Sequence, residues 1–105
     1  MKPVEWRPQA RGDAADAAWW YARQADLDAG LRFLDAIDVA LSRLSLFPAS
    51  GSARHAHVAP DLGAPLRCVV PAGFERYLIY YLDLPDRVLV VRIWNTARGL
   101  DALVA

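Results

Sequence analysis

The chain has 105 residues, 55% hydrophobic and 23% charged, with a formal net charge of zero and a single cysteine, Cys68. That is enough apolar material for one domain with its own core over 1–105, and it excludes a disordered chain, a disulfide framework and any apolar run long enough to span a membrane. Neutrality also argues against nucleic acid as the main partner, because phosphate binding is driven by a positive excess that releases counterions; direct nucleic-acid binding is not expected.

Lys2, Glu5 and Arg7 stand where a signal peptide would carry its apolar segment, so the expected location is the cytoplasm. Residues 3–7 alternate apolar with polar and predict a first strand, closed by Pro8, a residue suited to the first turn of a helix. Residues 8–25 are alanine-rich, with Ala15, Ala18, Trp19 and Ala22 at helical spacing, and predict a helix that tolerates Gly12 at a cost of roughly 1 kcal/mol. Asp26 or Asp28 offers an N-cap for a second helix over about 29–46, where Leu34, Ile37, Leu41 and Leu44, flanked by Phe33 and Phe47, make one stripe. So short a link predicts an antiparallel helical hairpin.

Residues 48–65 hold three prolines and two glycines and read as a long surface loop, with room for a short strand or turn near Val58. Three strands follow, Leu66 to Val70, Phe74 to Leu82 and Arg87 to Asn95, joined by turns at Pro71–Gly73 and Leu84–Asp86. In the second of them Leu78, Tyr80 and Leu82 alternate with Tyr77, Ile79 and Tyr81, so both faces of the sheet are expected to be at least partly buried. The last residues, 97–105, suffice for one or two helical turns. The expected class is α+β: an N-terminal strand and a helical hairpin packed on a small antiparallel sheet, in the order β-α-α-β-β-β, with a short C-terminal helix or tail.

That order and its residues resemble the RelE/ParE toxin superfamily, and its ParE-like branch in particular. The matching pieces are Val4-Glu5-Trp6 with Pro8 and Ala10, then Arg32-Phe33-Leu34-Asp35-Ala36-Ile37 leading to Leu44 and Phe47-Pro48-x-x-Gly51. Leu66-Arg67, Phe74 to Tyr81, and Val90-Val91-Arg92-Ile93-Trp94-Asn95 with Arg98 complete the set. The resemblance implies a toxin neutralised by a small cognate antitoxin whose helix and extended tail pack on it. It implies inhibition of DNA gyrase in the ParE branch and ribosome-dependent cleavage of messenger RNA in the RelE branch. A partner-binding relative that has lost toxicity is a third alternative.

Cutting RNA requires a base for the 2'-hydroxyl proton, an acid for the leaving oxygen and cations for the phosphorane. RelE-like members supply lysines, arginines and a His or Tyr near the C-terminal end. Here Lys2 is the sole lysine, the last strand closes on Trp94-Asn95, and the sequence ends Leu103-Val104-Ala105 without tyrosine. Arginines stay protonated and make poor bases, so a protein-binding toxin is favoured over an enzyme, with no catalytic residue and no cofactor expected.

The side chains singled out for target or antitoxin contact are Arg67, Arg76, Arg92, Trp94, Arg98 and Trp20. Even spacing permits Arg67, Arg76 and Arg92 to share a face, opposite acidic residues of a partner. The structural alternatives are an ion pair of Arg92 with Glu75, Asp83 or Asp101, and a core position for Trp94. Trp19, Trp20 and Tyr21 point about 100° apart on a helix and cannot all enter one core; Trp19 is expected inward, with the other two covering the helix–sheet edge. His55-x-His57 lacks an evident third ligand, and no metal is expected.

Overall fold

The computed structural model describes residues 1–103. Strand β1 (Val4–Trp6) leads into helix α1 (Pro8–Gln24), followed by α2 (Leu27–Leu46), β2 (Arg67–Val69), β3 (Tyr77–Asp83) and β4 (Val88–Asn95). Short 3-10 turns lie at Pro48–Ser50, Ala56–Val58 and Leu100–Ala102. The expected α+β order is thus present, while the last two residues of the expected tail, Val104 and Ala105, lie outside the described residues. No helix among the described residues is long and apolar enough to cross a membrane.

Local chemistry fixes the helical hairpin. Pro8 opens α1, and the Asp26 side chain caps α2 by accepting the Ala29 N–H at 2.8 Å. Phe47 leaves the helical conformation before Pro48, whose ring disfavours a helical predecessor. The helices cross on small residues: a Cβ at Gly30 would lie 2.6 Å from the Ala18 carbonyl oxygen.

The inner face of α1 is Ala10, Ala14 and Ala17 rather than the Ala15–Trp19 stripe, so Trp19 points outward at 59% exposure and Tyr21 turns inward. Tyr21 sits 5.3 Å from Phe33 and 5.0 Å from Phe74, ring centre to ring centre. On α2 the buried stripe is Phe33, Ile37, Leu41 and Leu44, with Leu34 and Phe47 outside it.

The sheet order is β1-β4-β3-β2. The last three strands form the expected antiparallel meander, and β1 joins parallel to β4, making the sheet mixed. Strand β3 begins at Tyr77 rather than Phe74 because a second turn, closed by the Tyr77 N–H on the Phe74 carbonyl, follows the one at Pro71–Gly73.

One irregularity governs everything after it. The pairing shifts by one residue between Tyr80↔Arg92 and Tyr81↔Val90, leaving Val91 unopposed as a bulge in β4. The bulge reverses the alternation, so Val88, Val90 and Ile93 face the helices while Val91 and Trp94 face the other side. Both faces are buried, the first by α1 and α2, the second by the 53–66 segment and residues 100–103. The stretch read as a surface loop is therefore also a cover, contributing buried Ala59, and Leu66, expected to open the next strand, is buried with it just before β2.

Candidate partner-binding groove

The six side chains singled out from the sequence do not converge. Arg67 pairs with Tyr81 and Arg92 with Tyr80, adjacent residues whose side chains take opposite faces of β3. Arg67 Nη1 donates to the carbonyls of Gly51 at 2.9 Å and Ala49 at 3.2 Å. The Tyr81 hydroxyl donates to the Pro48 carbonyl at 2.7 Å and accepts the Gly51 N–H at 2.9 Å. Pro48-x-x-Gly51 is thus a turn clamped onto the sheet, and a Cβ at Gly51 would press into the Tyr81 ring.

Arg92 finds none of its expected partners. Its Nε and Nη2 donate to the two Asp13 oxygens at 2.7 and 2.9 Å, and Nη1 reaches the Leu103 carbonyl at 3.3 Å. Asp83 is taken by Lys2 instead, at 2.5 Å. The reason lies in the sheet: β1 covers β4 only as far as Val90, and beyond it the α1 carboxylate of Asp13 accepts the Ile93 N–H at 3.1 Å. A side chain thereby replaces the missing strand neighbour and holds Arg92 as it does so.

The remaining cations rest on aromatic rings. Arg76 lies 4.8 Å from the Trp20 ring centre, while Arg92 at 4.8 Å and Arg98 at 4.2 Å flank Trp94. Trp94 is only 1% exposed, as its core alternative required, and its indole N–H has no hydrogen-bond partner among the described residues. Arg76 and Arg98 are exposed and Trp20 is half-buried, so these three still have surface to offer.

An open groove lies elsewhere. A groove of about 970 Å³ runs between the outward flank of α2 and the β2 edge, with Ala40, Leu44, Val69 and Phe74 among its lining residues. Val39 and Phe47, each 62% exposed, and Val70 at 45% also line it, together with the cations Arg32 and Arg43 and the carboxylate of Asp35. Periodicity marked α2 as amphipathic but gave no sign that its second flank would face an open cleft. Only the position of β2 creates the cleft.

The two sheet edges differ. At β2 the Cys68 N–H and carbonyl are both bonded to Ser52, at 2.9 and 3.0 Å. At β1 the Pro3 carbonyl and the Arg7 N–H bond to β4, so by the period of two the main-chain groups of Val4 and Trp6 point away from the sheet. A smaller hollow of about 450 Å³ adjoins that edge, lined by Met1, Val4, Trp6, Leu41 and Leu46 among others.

No curated protein matches the sequence. Among solved structures the chain resembles one described as the chromosomal ParDE toxin–antitoxin system from P. aeruginosa, with a TM-score of 0.71 and 15% identity, covering 90% of this chain and 96% of that one. At that identity the likeness establishes the fold. The family model for the ParE toxin of the type II toxin–antitoxin system parDE matches residues 4–100, from β1 to the first residue of the last 3-10 turn, and on that match the chain belongs to the ParE toxin family.

Proposed function

We propose that this ParE-family toxin acts by binding a protein target, which we take to be DNA gyrase, and that a small cognate antitoxin neutralises it from the α2–β2 groove. The groove is the observation that carries the antitoxin reading. Exposed Val39, Phe47 and Val70 offer an amphipathic helix an apolar seat, and Arg43, with Arg32 once it turns from its surface pair with Asp28, can meet acidic residues along its edge. An extended tail of the same partner would find the main-chain groups of Val4 and Trp6, which point away from the sheet at β1. Gyrase rests on kinship with the ParE branch, and the cytoplasm, where gyrase works, is the proposed place of action. Arg76, Arg98 and Trp20 are the proposed direct contacts from the sequence-derived set, while Arg67, Arg92 and Trp94 support the surface from within.

Two measurements test the reading separately. Val39→Glu places a charge at an already exposed position, so the fold should survive, and antitoxin affinity should fall by about thirtyfold or more in calorimetric titration. Unchanged affinity would move the antitoxin off the groove. Purified toxin should inhibit supercoiling by gyrase, and full supercoiling at saturating toxin would remove gyrase as the target.

A further inference from the structure

Among the described residues, no group of three His, Cys, Asp or Glu could hold a metal. His55 is engaged otherwise. Its Nδ1 lies 2.7 Å from the Tyr80 hydroxyl, and among the described residues this is the one hydrogen bond tying residues 53–65 to the sheet.

Tyr80 is fully buried, and its hydroxyl has no other hydrogen bond among the described residues. A phenol inside an apolar cluster needs an acceptor, so it donates to Nδ1, and the imidazole is neutral with its proton on Nε2. Protonation turns Nδ1 into a donor. The phenol hydrogen then has nothing to bond to among Leu66, Leu78 and Leu82, and a buried donor without a partner is costly.

We propose that His55 is a pH-operated latch: neutral, it holds the 53–66 cover on the second face of the sheet through Tyr80, and protonated, it releases the cover and exposes that face. The groups acting on His55 among the described residues are Arg54 and His57 of its own segment and the Tyr80 phenol of β3, with the buried Cys68 thiol of β2 beside that phenol; no carboxylate of the described residues is among them. Burial first, and then Arg54 and His57, hold His55 below its ordinary value of 6.5. Burial pushes Tyr80 up to about 12, so the phenol remains a donor throughout the working range. The lifted segment takes a proton more readily than the docked one, so the latch holds fully above pH 6.5 and weakens as pH falls below it.

The test is amide hydrogen exchange in the full chain, read at Ala56, Val58 and Ala59, whose N–H groups close the turns of the cover. Between pH 7.5 and 5.5, protection factors corrected for intrinsic exchange should fall in the unaltered protein, by at most about tenfold. His55→Asn offers an amide oxygen near the Nδ1 position and does not titrate, so its protection should stay level, whereas His57→Asn should behave like the unaltered protein. Constant protection in the unaltered protein, a parallel fall in His55→Asn, or loss of the pH response in His57→Asn would each overturn the latch.

Discussion

Asp13 accepts three hydrogen bonds, two from Arg92 and one from the Ile93 N–H, across 79 and 80 residues of sequence. Its side chain is 16% exposed and that of Arg92 11%, so the pair is largely withdrawn from water. Asp13→Ala leaves a nearly buried guanidinium and a strand N–H unpaired together, and urea denaturation should register a loss of about 3 kcal/mol. Asp13→Asn keeps an acceptor for the N–H and should lose less. Tyr81→Phe removes both bonds that hold the Pro48–Gly51 turn and should cost roughly 2 kcal/mol by the same measurement. Neither Asp13 nor the role of Tyr81 could be read from the sequence, because each depends on partners brought from far along the chain.

Elements were legible where periodicity is long and regular. Two helices, a meander and the two-sided burial of β3 all follow from spacing, and the structure contains them. What spacing left open was the phase. The run Trp19-Trp20-Tyr21 put Tyr21 inward because Ala10, Ala14 and Ala17 are small enough for α1 to approach the sheet closely on that side. The bulge at Val91 then sent both Arg92 and Trp94 to the second face, and Arg92 reaches Asp13 of α1 at the β4 edge that β1 leaves uncovered. Two glycines separate helix propensity from helix packing. Gly12 has open space around its missing Cβ, so Gly12→Ala should raise stability by about 0.5–1 kcal/mol in thermal melts. Gly30→Ala should lower it by about 1–3 kcal/mol, since the new methyl meets the Ala18 backbone and must force the helices apart.

At the scale of the whole molecule, buried titratable groups set the range in which the fold is most stable. Burial raises Tyr21, Tyr77 and Tyr81 above their ordinary value of 10 and takes Tyr80 to about 12. For these phenols stability is complete below pH 10 and declines as pH rises from there toward 12. His55 acts in the opposite sense, with stability complete above 6.5 and declining as pH falls. Burial likewise raises the Cys68 thiol above its ordinary value of 9.0, so as far as these groups decide it, melting temperature should form a plateau between about pH 6.5 and 9, and Tyr80→Phe should make the decline above pH 10 less steep.

The amino-acid sequence determined the class of fold, the order of its elements and the ParE kinship, because these depend on local preferences and on the ordered set of short motifs along the chain. Tertiary structure alone decided that the arginines would be separated, that Asp13 would stand in for a strand, and that the open surface would be the α2–β2 groove. Each of those outcomes turns on register. A single extra residue in β4 and a first strand of only three residues redirect side chains by a full face, and such shifts cost too little locally to leave a mark in the sequence.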